Sequence, residues 1–389
     1  MASEARAAME IPYKFPYPVT DEMQRAVADV LRRRIHYFGP YTDALEAKLA
    51  ALSGTKRAVA ASSGSACLLL GLHACGVGAG DEVVMPANIY AGVPEAALQL
   101  GAAPVLVDID PRTYNISVEQ VEAALSPRTR AIAVQHSYGH AVDMDPLRRL
   151  AEPRGIRILE DAAHALGGRY KGRPTGGLGD VGVFAFSNKG ISACGVGGAA
   201  TAADERMAQD LVDRRYHGRR AGYETHVLGY NFRLTEMVAA VASCQLDHLP
   251  AWNAQRRRNA EHYTVRLGDA GVPLGLPVEL PYAEHTFLHY VVRLDARDAL
   301  MEYLRGRGVT TSVHYPVPVH RHAAFAGRLP YREGQFPETE RACREILSLP
   351  CHPAVGEAEI RYVVAGVAEF YHGRADARRR TEHGGGGRA

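Results

Sequence analysis

The sequence predicts an α/β protein with a large domain built on a mostly parallel sheet, followed by a smaller α+β domain. From about residue 20 to residue 250, short apolar runs alternate with helical stretches, which is typical of parallel strands buried on both faces. Near Pro250 this alternation ends. At 389 residues, the chain is also longer than one simple core usually supports, so two domains are expected.

The strands and helices of the large domain follow in a regular order. Apolar residues recur with helical spacing over 20–34 and 42–53, and a short strand is predicted at 57–61. An apolar helix over 65–75 ends at Gly76, since glycine commonly terminates helices. Further strands are predicted at 82–86, 104–108, 130–136, 157–160 and 181–186, with helices at 91–100, 118–125 and 144–153. This alternation predicts parallel pairing and an α/β sandwich.

The second domain has elements of mixed type. They are helices at 251–267, 297–307, 337–347 and 357–371, an extended run at 289–294, and a loop rich in proline and histidine at 313–320. Polar, low-complexity composition marks both ends of the chain, where order is least expected. We therefore predict an N-terminal arm expected to be flexible, a large α/β domain, a small α+β domain and a disordered tail, with bounds 1–14, 15–250, 251–375 and 376–389.

The bulk composition limits the classes of function. Hydrophobic residues make up 47% of the chain and charged residues 23%, as in a soluble globular protein. A net charge of +2 gives no electrostatic reason to expect nucleic acid or an anionic membrane as a partner. The first ten residues lack a signal-peptide core, and no apolar run is long enough to span a bilayer. The six cysteines show no C-x-x-C pairing, so we expect reduced thiols, no metal site and a cytoplasmic protein.

The position of Lys189 carries the main functional prediction. The chain has only five lysines, and this one lies between the apolar strand 181–186 and a glycine turn at 195–198. Asp161 ends another apolar strand. Pyridoxal phosphate (PLP) needs such a pair, because lysine holds its aldehyde as a Schiff base and aspartate pairs with its pyridinium nitrogen. The alternatives are a solvated surface lysine and an aspartate paired with one of the many arginines.

Three further features lie just after predicted strands. The segment 62–66, Ser-Ser-Gly-Ser-Ala, opens a helix, where free N–H groups and the helix dipole favour phosphate. The alternative is an ordinary serine cap. Tyr90 follows a strand end and can stack on a flat heterocycle, although a core or surface tyrosine is the alternative. His164 lies three residues after Asp161 and can reach the cofactor, although a structural histidine is the alternative.

Together and in this order, these segments resemble the DegT–StrS type of sugar aminotransferases, which are PLP enzymes of fold type I in the aspartate aminotransferase-like superfamily. The resemblance covers roughly residues 15–370, and it is specific because many weak motifs occur in the right order. It implies a three-layer α/β/α large domain with a mostly parallel sheet and a smaller C-terminal α+β domain. The matching segments are 38–40, 62–66, 80–83, 101–105, 107–110, 160–164, 179–180, 189–198, 231–236 and 314–316.

The resemblance also implies a role for each matching residue. Lys189 would be the Schiff-base lysine and proton shuttle, and Asp161 would hold the pyridinium. Tyr90 would stack on the ring, and His164 would lie near its phenolic oxygen. Asn231 matches a residue that reaches the phosphate of the neighbouring subunit, which implies a homodimer with shared active sites. The remaining implied contacts are a phosphate cradle of Gly64, Ser65 and Ala66 and the sugar-pocket residues His314 and Tyr315.

Three departures from the family pattern stand out. Ser65 occupies a position where the family usually has threonine, a change that keeps the hydroxyl. Ala185 replaces a serine, and the segment before Lys189 is one residue shorter, so Ser187 becomes the candidate for the lost phosphate hydroxyl. Val196 replaces the usual acid of the glycine turn, which bears on the choice of substrate or donor.

The function that the resemblance implies is PLP-dependent transamination in amino-sugar or other natural-product biosynthesis. Glutamate or glutamine would donate nitrogen to the cofactor, which would pass it to the keto group of a nucleotide-linked deoxysugar or of a cyclitol. One alternative is a PLP- or pyridoxamine-dependent dehydratase, or another non-transaminating PLP enzyme that acts on a sugar or cyclitol, suggested by Val196. Family members with histidine in place of the lysine are dehydratases, so Lys189 favours transamination. The other alternative is a non-enzymatic regulator, which the presence of both Lys189 and Asp161 disfavours.

Overall fold

The computed structural model describes residues 9–193, 195–220, 222–329 and 331–384. Its α-helices are α1 (Asp21–Arg33), α2 (Pro40–Ser53), α3 (Gly64–Ala74), α4 (Gly92–Gln99), α5 (Val118–Ala124), α6 (Met144–Ala151), α7 (Glu205–Arg215), α8 (Glu236–Asp269), α9 (Arg297–Gly306), α10 (Pro337–Glu345) and α11 (Glu357–Gly384). Its strands are β1 (Arg57–Ala61), β2 (Glu82–Pro86), β3 (Ala103–Val107), β4 (Thr129–Gln135), β5 (Arg157–Asp161), β6 (Arg169–Tyr170), β7 (Arg173–Pro174), β8 (Val181–Ala185), β9 (Gly198–Ala202), β10 (Ala283–Glu284), β11 (Tyr290–Arg293) and β12 (Ile346–Leu349).

A seven-stranded sheet in the order β1-β9-β8-β5-β4-β2-β3 forms the centre of the large domain. All its strands run in one direction except β9, which is antiparallel to both neighbours, so the predicted mostly parallel sheet is confirmed. The sequence analysis missed β9, because Gly-Ala-Ala-Thr-Ala carries none of the bulky apolar residues that mark a buried strand. Because the other six strands are co-directional, their carboxyl ends meet at one edge, where α/β sheets bind ligands.

Both faces of this sheet are covered by helices, as the predicted three-layer arrangement requires. Successive residues of β2 point to opposite faces: Val83 and Met85 join a core with α3 and α4. Val84, between them, joins a second core with α5 and α6. Continuous apolar strands therefore bury both faces, which explains why the sequence shows runs rather than alternation in this region.

One long helix, α8, connects the large and small domains. The sequence analysis placed a helix start after Pro250, but the helix is continuous over 34 residues from Glu236 to Asp269 with that proline inside it. A proline removes one backbone donor, and here buried Leu249 and Trp252 pack on either side of it and hold the helix. The predicted boundary at residues 250 and 251 therefore falls within a single element.

The small domain pairs β11 with β12 in an antiparallel sheet packed against α9 and α11. The sequence analysis did not predict β12. The last helix continues to Gly384, beyond the predicted start of a disordered tail at residue 376, because alanine, arginine and glutamate favour helix. Residues 385–389 lie outside the described residues. Along the described chain, no helix combines the length and the apolar character needed to cross a bilayer.

The described part of the N-terminal arm is anchored on the small domain. Ile11 is 1% exposed and pairs in parallel with Val309. Its N–H donates to the carbonyl of Gly308 at 2.9 Å, and its own carbonyl accepts from Thr310 at 3.0 Å. Residues 9–14 are therefore fixed by backbone pairing that sequence patterns do not show, while residues 1–8 of the predicted flexible arm lie outside the described residues.

Glu236, the first residue of α8, ties this helix to the start of α2. Its buried carboxylate accepts backbone N–H groups of Gly39, Tyr41 and Thr42 at 2.9 to 3.0 Å, and the Thr42 hydroxyl as well. We expect Glu236→Ala to lower the free energy of unfolding by on the order of 3 kcal/mol, because several donors lose their acceptor. Equilibrium denaturation measures this loss, with Glu205→Ala, an exposed acid in the first turn of α7, as the control. Equal effects of the two substitutions would refute the expectation.

Candidate active site

Lys189 lies in the loop between β8 and β9, at the carboxyl edge of the sheet. Its Nζ is 2.7 Å from Nε2 of His164, which follows the end of β5. A turn brings the lysine inward, since Asn188 and Gly190 on either side both have positive φ, 57° and 89°. The structure therefore brings Lys189, His164 and the end of β5 together, as the sequence analysis expected.

Burial changes the chemistry of the Lys189 amine. It lowers the pKa of Lys189 to about 8, although the negative charge of Asp161 partly opposes this shift. An amine with this pKa has a substantial neutral fraction near pH 8. It is therefore a far better nucleophile there than a solvated lysine, as capture of an aldehyde requires.

This lowered pKa gives a direct test on cofactor-free protein. As pH rises, we expect acylation of Lys189 by an amine-reactive reagent to increase with a midpoint near pH 8, as quantified by peptide mass spectrometry. Lys171 is the matched control, because its surface ion pair with Asp145 raises its pKa. Lys171 should therefore react only at higher pH. A shared midpoint for the two lysines would contradict the expected environment.

Asp161 is the last residue of β5 and is 4% exposed. Its Oδ1 accepts the N–H of Ala163 at 3.0 Å. Within the described ranges, no arginine or lysine forms an ion pair with it, so the alternative of a salt bridge with an arginine is not what the structure shows. Burial raises the pKa of Asp161, while the Ala163 N–H and the charge of Lys189 oppose this. A desolvated carboxylate of this kind favours a cationic partner.

The neighbouring acid, Glu160, has a separate structural role. It points to the other face of β5, where its Oε2 accepts the N–H of Leu178 at 3.2 Å. His136, equally buried, lies 3.4 Å from the same oxygen. The alternation of a strand thus places one acid at the site and the other in the core.

The start of α3 carries the predicted phosphate cradle. The helix cap is Ser63, whose Oγ accepts the N–H of Ala66 at 3.0 Å, so Ala66 is already partnered by its own helix. Gly64 is packed closely, because a Cβ there would lie 2.7 Å from the Cβ of Ala185. Ser65 is exposed, with its Oγ 3.4 Å from the Tyr90 hydroxyl. The serine cap is therefore present, and phosphate binding at this helix start stays a prediction.

Aromatic residues flank the space above Asp161. Tyr90 is 44% exposed, with its N–H donating to Gln135 Oε1 at 3.0 Å, so its backbone is held while its ring remains open to a ligand. Tyr315 lies close enough to Asp161 and Tyr90 to interact with them electrostatically. Burial is the main cause of the raised pKa of Tyr315. The predicted sugar-pocket loop is thus beside the predicted ring site. Ser187 is exposed, and no contact with the other site residues is found for it in the described chain.

His314 joins a histidine cluster that the sequence analysis predicted only in part. Its ring is stacked on that of His289, with centroids 4.2 Å apart and an interplanar angle of 16°. His289 in turn lies edge to face with His164, at 5.0 Å and 90°. Tyr13 of the N-terminal arm contacts His289. Sequence reasoning missed His289 and Tyr13 because each is an isolated residue in an otherwise apolar or irregular stretch.

Asn231 is exposed and is not brought to Lys189 within one chain. Its Oδ1 accepts from Arg233 Nε at 2.9 Å. Phe232, between them, accepts the N–H of Ser62 at 2.8 Å, which fixes this segment beside the end of β1. The implied role of Asn231 toward a neighbouring subunit therefore remains a prediction.

A cavity of about 680 Å³ lies elsewhere, along α7 and the end of α3. Four of its charged lining residues form two ion pairs, Arg214 with Asp210 and Arg220 with Asp213, each at 2.9 Å. It contains neither Lys189 nor Asp161. Cavity size alone thus does not identify the candidate active site.

Comparison with known proteins agrees with this geometry. The model of the DegT/DnrJ/EryC1/StrS aminotransferase family matches residues 18–368. A relative named dTDP-3-amino-3,4,6-trideoxy-alpha-D-glucose transaminase, from Streptomyces venezuelae, is 40% identical over 351 residues, covering 90% of this chain and 92% of the relative. Another from Geobacillus stearothermophilus, named pleiotropic regulatory protein, is 40% identical over 352 residues, covering 90% and 94%.

Solved structures show the same similarity. The crystal structure of DesV from S. venezuelae in complex with a ketimine intermediate superimposes with a TM-score of 0.87 at 40% identity. The match covers 90% of this chain and 94% of that one. The predicted fold type is therefore confirmed over nearly the whole chain.

Proposed function

The chain belongs to the DegT/DnrJ/EryC1/StrS aminotransferase family, and from this premise we propose that it transfers an amino group to the keto group of a nucleotide-linked deoxysugar. It is a PLP-dependent aminotransferase. The observation that carries the proposal is the Lys189 amine, buried at the sheet edge with a pKa lowered to about 8 beside Asp161. The relative from S. venezuelae, which is named for such a sugar, supports the substrate class.

The residues of the site fit PLP. Asp161 is a buried carboxylate without an ionic partner in the described chain, which suits a protonated ring nitrogen. The open start of α3 suits a phosphate, and the exposed Tyr90 ring suits one face of a flat heterocycle. When bound, PLP supplies an electron-withdrawing ring that stabilises negative charge on the carbon beside the transferred nitrogen.

Each residue then has a definite task. The Lys189 amine would hold the cofactor through its aldehyde group and would carry the proton at the reacting carbon. Asp161 would keep the ring nitrogen protonated. Ser65 and the N–H groups of the first turn of α3 would hold the phosphate, with Ser187 as a further hydroxyl from the lysine loop. His314 and Tyr315 would contact the sugar, and His164 would lie near the phenolic oxygen.

Labelled nitrogen tests the reaction and its donor. The enzyme is incubated with a panel of nucleotide-linked keto-deoxysugars and keto-cyclitols and with glutamate or glutamine labelled with ¹⁵N at the α-amino group, and products are identified by mass spectrometry. We expect ¹⁵N in an amino sugar with one of the two donors, and none with Lys189→Ala. Consumption of a keto-sugar without nitrogen gain would instead support the dehydratase alternative, which Val196 in the glycine turn suggests. Labelling of the cyclitol alone would move the substrate to that class.

We also propose a homodimer in which Asn231 completes the active site of the partner subunit. Its support is that Asn231 contacts no residue of the Lys189 site in its own chain and lies among exposed apolar residues. Tyr223 and Leu228, on the preceding loop, are 88% and 85% exposed, which is unusual for such side chains on a monomer. The cytoplasm is the compartment we propose, because the five described cysteines are free and buried.

Mixing two inactive variants tests the shared site. If Asn231 serves the partner's site, a dimer of one Lys189→Ala subunit and one Asn231→Ala subunit retains one intact site. In that site, the lysine comes from the Asn231→Ala subunit and the asparagine comes from the Lys189→Ala subunit. After unfolding and refolding an equal mixture, random pairing should restore about a quarter of wild-type activity. Restoration of none, with dimers present by sedimentation, would place Asn231 at the site of its own chain. The control mixes Lys189→Ala with Asp161→Asn, which alter one and the same site and should not restore activity.

A further inference from the structure

The rings of His164 and His314 depend on a third histidine for their orientation. His289 is buried, stacks face to face on His314 at 4.2 Å, and meets His164 edge to face at 5.0 Å. His164 in turn holds the amine of Lys189 through Nε2. His289 therefore lies directly behind the two histidines that border the lysine.

Tyr13 holds one ring nitrogen of His289. Its hydroxyl is 2.5 Å from Nδ1 of that histidine. Burial raises the pKa of Tyr13, so the hydroxyl stays neutral, and a neutral hydroxyl pairs with Nδ1 in either tautomer of the ring. This contact leaves Nε2 as the ring nitrogen of His289 that is open to another partner. The position of Tyr13 is itself fixed, because the arm pairs with Val309 through Ile11.

The cluster presents buried ring nitrogens that have no partner among the described residues. They are Nδ1 of His164, Nε2 of His289 and Nδ1 of His314. Burial lowers the pKa of all three histidines, that of His314 to about 4, so the rings are neutral near pH 7. Buried polar groups are rarely left without hydrogen bonds, so a ligand or water oxygen is the expected partner. No group of three potential ligands suited to a metal ion occurs in the described ranges.

We propose that Tyr13 and His289 are positioning residues of the Lys189 site. Tyr13 fixes the orientation of the His289 ring through Nδ1, and His289 holds the rings of His164 and His314. His164 Nε2 thereby stays on the lysine amine, and the free ring nitrogens stay available to a substrate oxygen. The identity of the substrate in this inference rests on the proposed function. The contact between His164 and the lysine amine is independent of the proposed function. It makes the N-terminal arm part of the active site.

Four variants test the pair. Tyr13→Phe removes one oxygen, His289→Leu removes both ring nitrogens, and His289→Gln keeps an acceptor and a donor. Tyr17→Phe is the matched control, since it removes a tyrosine hydroxyl three residues after the arm, where the ring packs on Trp252. Each variant is measured for kcat and KM, and for the pH midpoint of Lys189 acylation in the full-length protein without cofactor.

We expect Tyr13→Phe and His289→Leu to lower kcat by about 10- to 100-fold, because misplaced groups at a reacting centre cost this much. KM for the keto-sugar should change less than about threefold. The pH midpoint of Lys189 acylation should fall in these two variants. The hydrogen bond to His164 favours the charged amine, so weakening that bond lowers the pKa of Lys189. His289→Gln should recover most of kcat, and Tyr17→Phe should match wild type. The other groups that act on this amine, Asp161 and His314, are unchanged in every variant.

The outcomes separate the two proposals. If Tyr13→Phe matches Tyr17→Phe in both kcat and midpoint, the positioning role is overturned. It is also overturned if His289→Gln is as impaired as His289→Leu at an unchanged melting temperature. A third outcome is that neither the wild type nor any variant aminates a keto-sugar, while Tyr13→Phe and His289→Leu still lower the pH midpoint of Lys189 acylation. The proposed function then fails, and the positioning role stands.

Discussion

Replacing Lys189 with alanine is expected to lower kcat by about 10⁴-fold or more, because in the proposed mechanism one side chain would both hold the cofactor and move the proton. This size of effect is consistent with an amine that is partly buried, has a pKa lowered to about 8 and contacts His164. Steady-state kinetics with saturating donor and acceptor measure the loss. Added primary amines should restore part of the rate, because they can replace the missing base.

Lys171→Ala provides the matched control. This lysine lies on the surface in an ion pair with Asp145, and its loss should leave kcat unchanged. A Lys189→Ala enzyme that retains more than about a hundredth of the wild-type rate would contradict the assigned role, since proton transfer alone is worth 10²- to 10⁴-fold.

Replacing Asp161 with asparagine is the second large expected effect. The substitution keeps the shape of the side chain but removes the negative charge that would stabilise a protonated ring nitrogen. We expect kcat to fall by about 10²- to 10³-fold, the usual size when one preorganised electrostatic contact is lost. The dissociation constant for PLP, measured by fluorescence quenching, should rise at the same time. Such a change in affinity separates a cofactor partner from a residue that only stabilises the fold.

The control for this substitution is Asp145→Asn, which removes an acid from a solvent-exposed ion pair. It should change neither kcat nor the affinity for PLP. If Asp161→Asn kept wild-type affinity and lost less than about threefold in kcat, the carboxylate would have no electrostatic role in catalysis. The ring nitrogen would then have to be supported by another group.

Lys189, Asp161, Tyr90 and His164 could be predicted because the rule that connects them is local. Each follows an apolar strand, and the carboxyl ends of parallel strands meet at one edge of the sheet. The order of strands was not needed for that prediction. The co-directional strands and the continuous apolar runs likewise made the sheet predictable.

Other features depend on contacts between distant parts of the chain. Tyr13 reaches His289 only because the arm pairs with Val309, and no local pattern indicates this. Strand β9 has too few bulky residues to be recognised from the sequence, and it forms because β1 and β8 offer hydrogen bonds on both sides. The helix α8 passes through Pro250 because buried side chains outweigh one missing hydrogen bond.

The central proposal is that Lys189 is the cofactor-binding lysine of the aminotransferase site, and the visible absorption spectrum tests it most directly. The purified, PLP-loaded protein is measured before and after addition of excess glutamate or glutamine, with Lys189→Ala beside it. We predict a band from the lysine-bound cofactor that one of the donors removes and that the variant lacks. A band in the wild type that neither donor changes would contradict transamination with these donors, and the same band in Lys189→Ala would contradict the assignment of this lysine.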